Sequence, residues 1–138
     1  MNPTSEPPCY DGSCLCGAVR YRLHQSIKAV KHCHCSQCRK NHGAAFASYG
    51  SVRRSALEWL GGQDQLRAYR SSPAVLREFC GVCGSSLFWS NSAGDFPDWV
   101  SVALGTLDSE CVPARQQHIH VDSKACWLDI ADTWPQTP

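Results

Sequence analysis

The sequence predicts a mainly β fold of short antiparallel strands with little helix, and three observations support this fold class. Several segments alternate apolar and polar residues with the period of two that is typical of a half-buried strand. Turn-forming groups of Gly, Ser, Pro and Asn separate these segments at short intervals. Seven of the ten cysteines lie in closely spaced groups along the chain. Together these patterns indicate a sheet of hairpins with ligand-like thiols between the strands.

The clearest strand signal covers residues 13–24. Its apolar side chains fall on one face and its basic side chains on the other: Val19, Tyr21 and Leu23 against Arg20, Arg22 and His24. Eight further short segments, rich in β-branched or aromatic residues, are predicted strands: residues 29–35, 45–52, 56–60, 65–70, 75–80, 86–90, 99–104 and 117–121.

Helix is predicted at one place, over residues 36–40. Ser36 is of a type favoured as an N-cap, and Gly43 is of the type that commonly ends a helix. We therefore expect one or two helical turns that begin after Ser36.

Length and composition indicate one folded domain. The chain has 138 residues, of which 43% are hydrophobic and 18% charged, so it can bury a core. We expect a single domain over residues 12–132, flanked by mobile tails at 1–11 and 133–138. The net charge of +1 gives no field that would attract nucleic acid or anionic lipid.

The N-terminal residues lack the basic start and apolar run of a secretion signal, and no stretch is long enough to span a membrane. We therefore expect a cytoplasmic protein without a membrane or nucleic-acid partner. Cytosolic thiols stay reduced, and dense cysteines there more often bind metal than form disulfides.

Two cysteine pairs, Cys14 with Cys16 and Cys80 with Cys83, can supply four thiolates. Four thiolates satisfy the tetrahedral coordination of a structural Zn²⁺ ion, which would join two distant parts of the chain. The alternative is that these cysteines are buried free thiols that pack as small apolar residues.

A third group, Cys33, Cys35 and Cys38, supplies three sulfurs, with His34 expected to point away from them. Three protein ligands that leave one position for water or substrate are typical of a catalytic zinc. Two alternatives stay open. A redox role for Cys35 and Cys38 is one. The other is a second structural site closed by a further residue: His32, His42, His118, His120 or Cys126.

Other candidate residues carry weaker signals. Arg39, Lys40 and Lys124 are cations that could offset thiolate charge or hold the carboxylates of an anionic ligand. His118 and His120 share one face of a late strand, where we expect exposure rather than burial. Cys9 and Cys111 follow no ligand spacing, and we expect both to be ordinary free thiols.

The motifs GSCLCGAVRY, CHCSQCRKNHGAAF, FCGVCGSSLFW, VALGTLD and HIHVDSKACW resemble the glutathione-dependent formaldehyde-activating enzyme family, which includes centromere-protein-V-like members. The resemblance covers residues 12–132. It implies a β-tent fold, like that of zinc-containing exchange-factor-like proteins, and two zinc ions per chain. It places the structural zinc at Cys14, Cys16, Cys80 and Cys83 and the catalytic zinc at Cys33, Cys35 and Cys38.

The same resemblance implies a carbon–sulfur lyase that joins glutathione to formaldehyde, giving S-(hydroxymethyl)glutathione. One residue departs from the family pattern: Cys126 stands where the late motif usually has Pro, which adds a possible metal ligand. A zinc ion held by three thiolates is a softer and weaker Lewis acid than a His-ligated zinc, so we expect the site to capture a thiol rather than to polarise a carbonyl. Two rival functions are a zinc enzyme acting on another thiol or carbonyl compound, and a non-catalytic zinc module that binds a protein partner.

Overall fold

The computed structural model describes residues 9–138. Within this range the chain forms one α-helix, α1 (Ser36–His42), and ten β-strands, listed in chain order: β1 (Tyr10–Ser13), β2 (Arg20–Leu23), β3 (Ala29–Cys33), β4 (Ala47–Arg53), β5 (Leu57–Gly61), β6 (Leu66–Arg70), β7 (Val75–Cys80), β8 (Ser86–Asn91), β9 (Trp99–Ala103) and β10 (Arg115–Ile119). The predicted mainly β fold class is confirmed. In the described range no helix has the length and apolar character needed to cross a membrane.

The strands form two sheets. The smaller sheet has the order β1-β2-β5, and the larger one the order β10-β3-β4-β9-β8-β7-β6. All pairs are antiparallel except β10 with β3, which is parallel. The larger sheet is therefore mixed at this edge, while its other strand pairs follow the expected antiparallel arrangement. A long connection after β9 allows β10 to return beside β3 in the same direction, as parallel pairing requires.

The predicted strand over residues 13–24 is interrupted by a turn. The backbone folds back between β1 and β2, where the Cys14 amide donates to the Val19 carbonyl at 3.0 Å and the Gly17 amide donates to the Cys14 carbonyl at 3.1 Å. The predicted apolar face is correct, because Tyr21 and Leu23 are fully buried. Cys14 and Cys16, which lie inside the predicted strand, belong to this turn.

The predicted helix is present, but its N-cap is Cys35 and not Ser36. The Cys35 side chain accepts a hydrogen bond from the Cys38 amide, so a sulfur takes the capping position that a hydroxyl usually fills. Gly43 ends the helix in the left-handed conformation, with φ of 60°, as predicted.

In the described range, parts of both expected tails form backbone hydrogen bonds with the rest of the domain. Tyr10 and Asp11 belong to β1, and residues 1–8 of the expected N-terminal tail lie outside the described residues. The C-terminal residues dock along β10: the His118 amide donates to the Pro135 carbonyl at 2.9 Å, and the Thr137 amide donates to the His118 carbonyl at 3.0 Å. The Trp134 indole stacks on the His32 ring with centroids 5.3 Å apart.

The main core lies between the two sheets and includes residues of both. Tyr21 is at its centre and shares a hydrogen bond of 2.6 Å with the Thr106 hydroxyl, and burial raises the pKa of Tyr21 to about 12. Burying each large apolar side chain contributes about 1.5–3 kcal/mol. Cys14 and Cys80 belong to this core, so two of the predicted ligands lie where the sheets meet. Its buried members are Cys14, Val19, Tyr21, Leu23, Ile27, Val30, Val52, Cys80, Leu87, Phe88, Val100 and Val102.

The turn between β5 and β6 requires a glycine at position 62. Gly62 has φ of 77°, and a Cβ added there would overlap the carbonyl oxygen of Ala18. Gly43 has a similar positive φ but open space around the added atom. The two positions therefore separate the cost of backbone conformation from the cost of overlap.

We predict that Gly43→Ala lowers the free energy of unfolding by about 1–2 kcal/mol, the cost of a left-handed L-residue. Gly62→Ala should cost about 1–3 kcal/mol more, because the backbone of Ala18 must also move. Urea unfolding of the metal-loaded variants measures both values, and equal losses would contradict the close contact at Ala18.

Candidate metal centres

The structure brings seven cysteines into two groups. Within each group all sulfur atoms lie within 4.8 Å of one another. We call Cys14, Cys16, Cys80 and Cys83 the four-cysteine cluster, and Cys33, Cys35 and Cys38 the three-cysteine cluster. In the part of the chain from residue 9 onward, these are the groups of three or more Cys, His, Asp or Glu side chains at such spacing.

The four-cysteine cluster forms where two turns meet. Cys14 and Cys16 lie in the turn between β1 and β2, while Cys80 ends β7 and Cys83 lies in the turn before β8. The Leu15 amide donates to the Ser85 hydroxyl at 2.9 Å, so the turns also contact each other directly. A metal held here would link the smaller sheet to the larger one.

The sulfur spacing of this cluster fits a tetrahedral zinc ion. A Zn–S bond of about 2.3 Å gives an edge of about 3.8 Å between sulfurs of a tetrahedron. The Sγ atoms of Cys14 and Cys16 are 3.6 Å apart, and those of Cys16 and Cys80 are 3.8 Å apart. All four sulfurs match the expected donor set, so the residues present fit a closed thiolate site.

Hydrogen-bond donors surround these sulfurs. The Val19 amide lies 3.2 Å from Cys14 Sγ, and the Val82 amide lies 3.4 Å from Cys80 Sγ. Hydrogen bonds from the side chain and the amide of Ser85 lower the pKa of Cys83 to about 5. Donors of this kind stabilise thiolates, which are the form that binds metal.

The three-cysteine cluster is built by the junction of β3 and α1. Cys33 is the last residue of β3, Cys35 is the N-cap, and Cys38 lies in the first turn of the helix. The capping hydrogen bond from the Cys38 amide to Cys35 Sγ, at 3.3 Å, closes this turn. The same local contact that starts the helix thus brings the three sulfurs together.

No fourth protein ligand joins this cluster in the part of the chain that the structure describes. The His32 ring forms hydrogen bonds with the Ser48 hydroxyl and with Gln116 Oε1, both at 2.8 Å. The His42 Nε2 atom bonds to the Tyr49 hydroxyl at 2.9 Å. Neither of these histidines, nor the other candidates for closing the site, lies within ligand spacing of the sulfurs: His118, His120 and Cys126.

A buried arginine, Arg77 of β7, carries the positive charge at the three-cysteine cluster. Its Nη1 and Nη2 atoms lie 3.7 and 3.8 Å from Cys38 Sγ, and its Nε donates to the Ser71 hydroxyl at 2.9 Å. A hydrogen bond from the Cys33 thiol and those from Arg77 lower the pKa of Cys38 to about 5, while the pKa of Cys33 is raised. Arg77 therefore favours the thiolate form of Cys38.

Tyr49 of β4 is a second residue at this cluster that sequence reasoning missed. Burial, followed by the charge on Cys38, raises the pKa of Tyr49. Its hydroxyl group shares a hydrogen bond with His42. Neither Arg77 nor Tyr49 follows a spacing motif, so no local signal in the sequence could have assigned them to this site.

A chain of buried histidines lies on the other side of β3. His34 Nε2 is 2.7 Å from His118 Nδ1, and His118 Nε2 is 2.9 Å from Asp132 Oδ2. An ionised carboxylate only accepts, so the His118 Nε2–H group donates to Asp132, while the tautomers of the two rings set the direction of the His34–His118 hydrogen bond. The prediction that His34 points away from the cysteines agrees with this contact. The expected exposure of His118 is wrong, because only 2% of its surface is accessible.

The chain is similar in sequence to proteins of one known family. The family model described as glutathione-dependent formaldehyde-activating enzyme matches residues 9–123. A putative glutathione-dependent formaldehyde-activating enzyme of Halomonas elongata is 27% identical over 128 residues, 87% of this chain and 80% of that protein. An uncharacterized lyase of Schizosaccharomyces pombe is 26% identical over 97 residues, 70% of this chain and 69% of its own length.

Two further similarities extend this set. A putative glutathione-dependent formaldehyde-activating enzyme of Phaeosphaeria nodorum is 33% identical over 95 residues, which are 66% of this chain but only 50% of that protein. A crystal structure of a Rhodobacter sphaeroides protein superposes with a TM-score of 0.60 at 26% identity, covering 72% of this chain and 89% of that one.

We predict that the purified wild-type chain binds two zinc ions and that Cys35→Ser binds one, with a modest loss of thermal stability. Cys83→Ser should compromise folding itself, because a structural zinc contributes on the order of 10 kcal/mol of apparent binding free energy. Elemental analysis together with thermal unfolding measures both effects. Cys126→Ser is the matched control and should retain two ions. Full zinc content in Cys35→Ser would contradict the assignment.

Proposed function

Because the chain belongs to the glutathione-dependent formaldehyde-activating enzyme family, we propose that it is a zinc-dependent carbon–sulfur lyase-type enzyme that adds glutathione to formaldehyde or a related small carbonyl compound. The product would be S-(hydroxymethyl)glutathione or its analogue. We place this reaction in the cytoplasm, where thiols stay reduced. Residues 12–132 would form the functional domain, and two zinc ions would be its cofactors.

The observation that carries this proposal is the unequal number of sulfurs in the two clusters. The four-cysteine cluster has the complete donor set of a tetrahedral ion, whereas the three-cysteine cluster has one ligand fewer. A thiolate from a substrate would complete the second set with the same kind of donor. We therefore assign a structural role to the former and a catalytic role to the latter.

Solvent reaches both clusters, because Cys16 of the four-cysteine cluster is exposed as well, so the division of roles rests on the number of sulfurs. Cys33 and Cys38 are buried, but Cys35 is partly accessible, so solvent reaches the three-cysteine cluster on the side of the helix start. Zn²⁺ bound there would supply a Lewis acid and would lower the pKa of an incoming thiol. The protein's part is to hold that position with three sulfurs and to leave it accessible.

Arg77 and Tyr49 would control the charge and hydrogen bonding of the site. Three thiolates and one Zn²⁺ ion carry a net charge of about −1, which Arg77 offsets from its buried position beside Cys38. The Tyr49 hydroxyl, held by His42, is an O–H group that could donate to the oxygen of a carbonyl substrate. In this role it would favour the negative charge that develops when sulfur attacks the carbonyl carbon.

The activity is tested with zinc-loaded protein, glutathione and formaldehyde, by following the exchange between free thiol and hemithioacetal with NMR. We expect wild type to accelerate this exchange well above the uncatalysed rate and Cys35→Ser to return it to background. Cys126→Ser changes an exposed thiol outside both clusters and should keep the wild-type rate. A fully metal-loaded wild type with only the background rate would exclude the enzyme.

We predict that Tyr49→Phe slows the same reaction by about 10-fold or more, because one hydrogen-bond donor to developing charge is lost. The zinc content should stay at the wild-type value. Tyr69→Phe removes a hydroxyl from an exposed tyrosine of β6 and is the matched control. If both variants react at the wild-type rate, Tyr49 has no part in catalysis.

A further inference from the structure

A groove of about 230 Å³ lies beside the C-terminal half of α1. Its lining combines two cations, two small residues and one exposed indole: Arg39, Lys40, Gly43, Ala44 and Trp127. The small residues leave room for a ligand, and the indole forms an apolar wall. The groove therefore has the composition of a site for an anionic group joined to an apolar or peptide-like stem.

The groove lies next to the three-cysteine cluster. Arg39 donates its amide to the Cys35 carbonyl at 3.0 Å, so the two residues are one helical turn apart. Side chains with this spacing share a helix face, with Cβ atoms roughly 5–6 Å apart. Cys35 is also the partly exposed sulfur of that cluster. A molecule with a thiol at the cluster can thus place a second group at Arg39.

The charge of Arg39 has no partner in the described part of the chain. Its Nε atom is buried without a hydrogen bond, one of two such side-chain atoms between residues 9 and 138. The ion pairs in this range involve Arg22, His24 and His118, and none involves Arg39 or Lys40. Buried donors are rarely left unpaired in folded proteins, so this half-buried guanidinium is free to pair with an acceptor from outside the chain.

Lys124 does not line the groove but stabilises the turn that carries Trp127, which does. Its ammonium group donates to the carbonyl oxygens of Ala125 and Leu128 and so closes the turn that carries Trp127. The Trp127 side chain stays 70% exposed. A large indole held in solvent beside two unpaired cations is typical of a ligand contact.

We propose that this groove binds a carboxylate of the thiol substrate and selects anionic thiols over neutral ones. The inference rests on the proposed function, because it names the anchor of the thiol that this function uses. Arg39 matches a carboxylate with two parallel N–H groups, and Lys40 adds a second positive charge. Trp127 packs against the stem between the carboxylate and the sulfur.

Calorimetric titration of the zinc-loaded full-length chain with S-methylglutathione tests this inference without any turnover. The methyl group blocks the thiol, so binding reports the groove. Wild type should bind S-methylglutathione about 10-fold tighter than its diethyl ester, in which both carboxylates are neutralised. Arg39→Gln should weaken binding of the free acid about 10-fold and reduce the difference between the two ligands to the part that Lys40 supplies, since a hydrogen-bonded charge is lost.

Arg115→Gln is the matched control, because Arg115 is an exposed arginine of β10 whose side chain makes no hydrogen bond to the described residues. Wild-type affinity in this variant and a loss in Arg39→Gln, at equal zinc content, support the proposal. Equal affinities of wild type for acid and ester, or no effect of Arg39→Gln, overturn it. Ester discrimination without any hemithioacetal exchange would reject the proposed reaction and leave the groove assignment standing. Hemithioacetal exchange that is equal for glutathione and its diethyl ester, and unchanged in Arg39→Gln, would support the proposed reaction and reject the groove assignment.

Discussion

The contact on which the fold depends most is the meeting of two cysteine turns at the junction of the sheets. Cys14 and Cys80 are both core residues and members of the four-cysteine cluster, so burial and ligand spacing act at the same positions. The sulfurs lie at the separations of a thiolate tetrahedron, with amides directed to them. Sulfurs this close would repel one another as thiolates, and a cation among them would remove that repulsion. A bound metal ion would then hold the small sheet to the large one, in addition to their apolar packing.

The three-cysteine cluster also consists of thiol ligands, but different residues surround it. Its sulfurs come from a single short stretch of chain, because Cys35 caps the helix that carries Cys38. Arg77 reaches it from β7, and Tyr49 from β4, so two distant strands set its charge and hydrogen bonding. The groove at Arg39 lies on the exposed side of this arrangement.

Sequence reasoning identified most strands and the helix, and its errors have specific physical causes. Alternation continued through Ser13 to His24, yet the backbone turns at Cys14 because sulfur spacing requires a tight loop there. Ser36 is of a residue type favoured as an N-cap, but Cys35 is the N-cap because its sulfur accepts the hydrogen bond from the Cys38 amide. His118 looked exposed in a two-sided strand, whereas the C-terminal residues cover that side and Asp132 pairs with its ring.

The cysteine spacing and the period of two determined by themselves the mainly β class and the two sets of thiols, and the family followed from the resemblance of five sequence motifs. These properties depend on residues close together in the chain, or on donor counts that need no distance. Only the tertiary structure decided that Arg77 neutralises Cys38, that His118 is buried with Asp132, and that Arg39 faces a groove with Trp127. Each of these pairs is separated by 14 or more positions, and their contact depends on strand order and sheet packing. No local pattern contains that information, because long-range pairing is set by the register and closure of the sheets.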